Sequence, residues 1–245
     1  MDFFRAFYRA YKKRTPAFLQ AVIRPFWRFI IKIKTLFHCV ICVKTVVSWK
    51  RADFVYKTFD YVRHSSLELI AREIYENNIG GNVAELGVFQ GDFAQYINQI
   101  FPDRKLYLFD TFEGFNENDV RTEKTNKSYV PDNDIFKNTS INMVLGKMRH
   151  KENCVIKKGY FPETAKDVDD TFAFVNIDVD LSEPIYNGLW WFYSRLEKGG
   201  YIFVHDFNHK RWTGAKIGVK KFVKEYGGVP YFPLSDGAGS VIFMK

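Results

Sequence analysis

Cysteine is scarce in this chain. Three in 245 residues, Cys39, Cys42 and Cys154, are too few, and odd in number, for a disulfide framework. Such sparse use fits a reducing, cytoplasmic compartment. Cys39 and Cys42 have the spacing that opens a zinc or redox motif, but no second pair follows and the flanks are apolar. They read as packing cysteines. A long apolar run is also missing. The longest uncharged apolar stretch near the N-terminus lies between Lys34 and Lys44, well short of the roughly 20 residues that span a bilayer. No small-residue cleavage pattern follows it, so a secretory signal is not expected. Internal repeats and low-complexity tracts are absent as well.

Acids are missing from one end. Asp2 is the single acid among residues 1–51, against twelve Lys or Arg. The other 194 residues hold 24 basic and 27 acidic side chains, so the net charge of +8 belongs to the N-terminal segment. That distribution excludes a nucleic-acid footprint spread over the main domain. The basic segment has helical periodicity. Phe3, Phe4, Phe7, Tyr8 and Tyr11 share one face, with Arg5, Arg9, Lys12 and Lys13 on the other; Phe26, Phe29, Ile30, Ile33 and Phe37 repeat beside an Arg24, Arg28, Lys32 stripe. Two readings stay open. Residues 1–50 touch the inner face of a membrane peripherally, or these helices cap the main domain or a second subunit.

What remains is enough for one sizeable core: 47% of residues are hydrophobic and 18% aromatic. The expected division is a basic, aromatic-rich helical segment over 1–64 and a main domain over 65–245. From Ser66 the pattern alternates. Helices are expected at Ser66–Asn77 (capped by Ser65 or Ser66), Asp92–Ile100, Thr139–Arg149, Pro184–Leu196 and Gly214–Tyr226. Strands are expected at Asn82–Val88, Lys105–Phe109, Cys154–Lys157, Phe172–Ile177, Tyr201–Val204 and Ser240–Met244, with a turn at Gly199-Gly200. The polar stretch Asn116–Asn138 lacks apolar periodicity and reads as a long loop. Strands alternating with helices predict a doubly wound, mostly parallel α/β sheet covered on both faces. Ligands in such folds bind beyond the carboxyl ends of the strands.

The residues there carry chemistry. The first strand runs into Glu85-Leu86-Gly87-Val88-Phe89-Gln90-Gly91. Gly87 and Gly91 allow close backbone approach, and Glu85 can accept from a cofactor ammonium group. Phe89 replaces the second glycine of the dinucleotide fingerprint, which disfavours a pyrophosphate. The second strand ends Asp110-Thr111-Phe112, with an acid spaced to hold ribose hydroxyls. Lys158-Gly159-Tyr160-Phe161 follows the third; Gly159 and the aromatics line an adenine slot or belong to a structural turn. Asp178 and Asp180 follow the fourth, and His205-Asp206 the fifth. Acids behind a buried strand must be paired, solvated or metal-bound. Adjacent strands bring Asp178 near His205 and Asp206, a plausible Mg²⁺ set, while Asp180 reads as a helix cap. His205 is a ligand, a general base or a core histidine.

Together, ELGVFQG, LFDTFEGF, KKGYFPET, IDVDLSEP, GGYIFVHDFN and LSDGAGSVIF resemble the macrocin O-methyltransferase family, over about Ser65 to Lys245. That resemblance implies a seven-stranded Rossmann-like sheet, S-adenosylmethionine as methyl donor, a divalent cation (usually Mg²⁺), a saccharide or glycosylated small-molecule acceptor and a homo-oligomer. Glu85 and Gly87 then contact the methionine part, Asp110 the ribose, and Asp178 and Asp206 the metal. Two positions depart from the family: two adjacent acids are common where this chain has His205-Asp206, and an aromatic where it has Ser182. The alternative reading is a non-catalytic scaffold on a relict fold. Nucleic-acid methylation fits less well, because no Pro-Pro-aromatic tetrapeptide follows the fourth strand.

Overall fold

A computed structural model describes residues 60–245, apart from 127, 129, 131, 132, 210 and 211. Both basic amphipathic stretches and the Cys39–Cys42 pair lie outside the described residues. In chain order the elements are α1 (Tyr61–Glu76), β1 (Asn82–Leu86), α2 (Ala94–Ile100), β2 (Leu106–Asp110), α3 (Glu117–Thr125), α4 (Asn133–Phe136), α5 (Ile141–Lys147), β3 (Cys154–Lys158), β4 (Phe172–Ile177), α6 (Ser182–Arg195), β5 (Leu196–Val204), α7 (Gly214–Glu225), β6 (Tyr231–Pro233) and β7 (Val241–Met244). Seven strands form one sheet in the order β3-β2-β1-β4-β5-β7-β6. The first five are parallel, and β7 is antiparallel to both β5 and β6. Among the described residues, no helix is long and apolar enough to cross a membrane.

The central strands are apolar throughout because helices cover both faces. All six residues of β4 are buried. On one face, Phe192 of α6 and Phe222 of α7 pack with Leu86, Phe109 and Phe243. On the other, Leu67 and Ile74 of α1 and Ile97 of α2 pack with Phe101, Phe174 and Phe203. Fully burying one such side chain stabilises the fold by roughly 1.5–3 kcal/mol, so these two layers dominate its stability. Phe101, Phe174 and Phe203 are each at most 1% exposed, and truncating one to Ala costs about 3–5 kcal/mol.

Several boundaries differ from the sequence expectation, each for a local reason. Helix α1 starts at Tyr61, not Ser66, because the Asp60 carboxylate caps it by accepting from the Arg63 N–H. Gly199 and Gly200 lie within β5 and not in a turn after a helix; the strand shifts register against β4 between Phe172 and Phe174. The short edge strand β6 was unforeseen, having only three residues. The stretch Asn116–Asn138 is not a structureless loop. Asn116 caps α3 and two acids, Glu117 and Asp119, stand in its first turn, where the helix dipole favours them.

The register decides what sits together. Leu86 pairs with Phe109 and with Ile177, and Ile177 pairs with Val204. The next residues, Gly87, Asp110, Asp178 and His205, therefore stand in one row beyond the sheet. Asp178 N–H donates to Leu86 O and His205 N–H to Ile177 O, extending the ladder one residue past each strand.

Candidate active site

A cavity of about 310 Å³ opens over this row. Glu85, Gly87, Phe89, Asp110, Thr111, Gly159, Phe161, Asp178, His205 and Asp206 all line it. Gly91 and Phe112 do not. Gly91 backs onto Val144 and Met148 of the α5 region, and Phe112 is buried in the core. Phe161 reaches the cavity but stacks on Phe192 at 5.6 Å, so its ring also belongs to the core.

The β2 end is built from main chain. One Asp110 oxygen accepts from the Val88 and Phe89 N–H groups at 2.7 and 2.8 Å; the other accepts from Phe112 N–H at 2.7 Å. These bonds hold Phe89 and Phe112 in left-handed backbone conformations, φ 47° and 56°, which cost bulky residues of order 1–3 kcal/mol each. Gly87 serves a closer approach. With φ 87°, a Cβ there would lie 2.1 Å from the Asp178 carbonyl oxygen. No side chain fits, and the β1 turn touches the β4 end directly.

Glu85 differs from Asp110. It is 2% exposed. Oε1 accepts from Asn176 Nδ2 at 2.8 Å, while Oε2 is buried without a partner. Burial drives its pKa well above the ordinary carboxylate range, against the nearby Arg63 charge. An orphaned carboxylate oxygen on the cavity wall, beside a backbone cradle only glycine can form, fits the ammonium end of an amino-acid cofactor.

The β4 and β5 ends concentrate charge. Asp178 Oδ2 accepts from Arg63 Nη2 at 2.9 Å, and Asp178 Oδ1 lies 3.0 Å from His205 Nδ1. Burial would raise Asp178; His205 and Arg63 outweigh it and hold the carboxyl well below its usual range. Burial would lower His205, but Asp178 above all pushes the imidazole up to about 10. Asp180 does not cap α6. The cap position is Leu181, without a side-chain bond. Asp180 instead turns inward in a left-handed conformation, φ 58°. Burial first, then the Asp178 and Asp206 charges, raise its pKa well above the ordinary range.

Sequence reasoning missed Arg63. It sits on α1, 6% exposed, bonds Asn176 Oδ1 and Asp178 Oδ2, and lies 4.0 Å over the Phe93 ring. Asn176 in turn bonds Glu85, so Arg63 joins the two ends of the row. The Asp60 cap signal was the clue that the helix began early enough to carry it. Also missed were two buried acids of α3. Glu123 accepts from Ser182 N–H at the start of α6, and Asp119 accepts from Tyr160 Oη–H at 2.9 Å. They strap α3 to the cavity rim.

The fold has solved counterparts. The chain is similar to the O-methyltransferase NovP (TM-score 0.62, 19% identity, 76% of this chain and 80% of that one). It is similar to the calicheamicin methyltransferase CalS11 (TM-score 0.56, 19% identity, 74% and 78%). A putative caffeoyl-CoA O-methyltransferase from Staphylococcus aureus aligns over 98% of both chains at TM-score 0.50 and 14% identity. At these identities the likeness speaks to the fold. No functionally curated protein matches the chain at the sequence level. The family model for macrocin O-methyltransferase matches residues 50–228. With nearly three-quarters of its length matched by that model, the chain belongs to the macrocin O-methyltransferase family, whose members are S-adenosylmethionine-dependent.

Proposed function

We propose that the chain methylates a hydroxyl of a saccharide or glycosylated small molecule, beside a divalent-cation site made by Asp178, His205 and Asp206. The observation that carries this reading is their convergence at the cavity wall. One ligand atom from each lies within 4.8 Å of the others, next to the orphaned Glu85 oxygen. Three carboxylates crowd here with Asp180, and a cation relieves their repulsion.

Glu85 and Gly87 hold the methionine part of the donor, Asp110 and Thr111 the ribose, and Phe89, Gly159 and Phe161 border the adenosine. When bound, the donor supplies an activated methyl group. When bound, a divalent cation, Mg²⁺ by family expectation, supplies Lewis acidity toward the acceptor oxygen. The chain's own task is mainly alignment. The acceptor proton goes to Asp178 or His205, whose side chains are 23% and 19% exposed at the cavity, against 5% for Asp206. Arg63 positions Asp178. The twelve basic residues among 1–51 support peripheral contact with an anionic membrane surface; removing residues 1–50 then abolishes partition onto anionic liposomes.

The test is methyl transfer from isotopically labelled donor to a panel of glycosides and nucleotide-linked sugars. Labelled sugar ether with wild type, and at least about 100-fold less with Asp178→Asn, is the expected result. Donor binding without transfer to any hydroxyl in the panel overturns the saccharide assignment.

A further inference from the structure

His205 makes the acid cluster chemically mixed. Its Nδ1 lies 3.0 Å from Asp178 Oδ1 and 3.2 Å from Asp206 Oδ2, yet it is buried with no aligned hydrogen bond. Nδ1 stands between the two carboxylate oxygens, within reach of both and aligned with neither. Three donor atoms converging on one point give the observed arrangement. An octahedral ion with bonds of about 2.1 Å holds neighbouring donors about 3 Å apart, the separation of His205 Nδ1 from each carboxylate oxygen. Asp178 is limited to one oxygen toward that point, because Oδ2 is taken by Arg63 Nη2. The His205 main-chain N–H is fixed to Ile177 O at 3.0 Å, which sets where its side chain leaves the sheet. The chain thus offers two carboxylate oxygens and one imidazole nitrogen.

Mg²⁺ takes oxygen donors almost without exception, whereas imidazole suits first-row transition ions. We infer that this site selects a first-row transition ion, of which Mn²⁺ is the probe, over Mg²⁺, and that His205 Nδ1 sets the choice. The inference rests on reading the cluster as a cation site, and it names the class of ion that the site takes.

The experiment uses the full chain, stripped with a chelator. Mn²⁺ and Mg²⁺ are titrated alone at one fixed pH, so any proton displaced from His205 is common to both. Wild type is expected to bind Mn²⁺ at least about 100-fold more tightly than Mg²⁺. Its Mn²⁺ spin-echo spectrum shows the modulation of a directly bound ¹⁴N. In His205→Asp the modulation disappears and the preference falls to about tenfold or less. Should that variant fold poorly, ¹⁵N-histidine labelling of wild type replaces it: the modulation must change isotope. Mn²⁺ bound without nitrogen modulation, or with the same preference in both proteins, overturns the selectivity and leaves the cation site standing. Neither ion binding overturns both, and leaves His205 as a plain counter-charge.

Discussion

Asp110 and Asp178 end strands on opposite sides of β1, yet their carboxylates are held in opposite ways. Asp110 is filled by three main-chain N–H groups from its own and the neighbouring turn. Asp178 is held by Arg63 and His205 and crowded by two further acids. The first arrangement depends on backbone alone and survives changes of most side chains around it. The second depends on the balance of named charges, so single substitutions there change the electrostatics of the cavity wall. On the proposed assignment, the donor end is the fixed-geometry end and the acceptor end the tunable one.

The sharpest test sets the two acids against each other. Asp110→Ala leaves three N–H groups without a partner, so stability falls by about 3 kcal/mol or more and donor affinity at least about 100-fold. Asp178→Asn loses transfer by as much while donor affinity stays within about threefold. Calorimetric titration of donor with thermal melts separates them; equal loss of donor binding in both breaks the contrast. Next in size is Arg63→Met. Removing one partner of a buried pair costs about 3–5 kcal/mol, and because Arg63 also bonds Asn176, both donor binding and transfer weaken. Denaturant unfolding with steady-state kinetics reads this, and a loss confined to transfer shows that the ends are uncoupled. Smallest is Glu85→Gln. The folded protein holds on Glu85 a proton that the unfolded chain releases, so donor-free stability falls as pH rises from about 4.3 toward the raised pKa, and is unpenalised below that window. The Gln variant lacks this fall. At neutral pH it melts about 2–4 °C higher while binding donor about tenfold more weakly; no gain in melting temperature removes the orphaned-oxygen argument.

The legible part of this molecule is the part written in local pattern. Strand β4 announces itself as FAFVNI, and Glu85, Asp110, Asp178 and His205 are found by inspecting the carboxyl end of each apolar run. The family departure at His205 is likewise visible as one residue. What escaped depends on distance in space. Arg63 is 115 residues from its partner Asp178, and no spacing rule joins them. Glu123 and Asp119 sit in a stretch whose polarity suggests solvent, though both are buried; helix α3 hides its inward acids because they serve other elements' N–H and hydroxyl groups and bury no apolar face. Asp180 misled for a related reason. An acid before a helix usually caps it, but its left-handed backbone turns it toward Asp206.

Gly87 links these two ends more tightly than any side chain. In a saturation library, position 87 is a blank column: every replacement drives a carbon into the Asp178 carbonyl. If the proposed assignment holds, a lineage built on this fold is free to redraw the acid-cluster side through β4, β5 and α3, but each variant inherits the same distance between the Gly87 turn and the acid cluster. Diversity accumulates around a fixed bore.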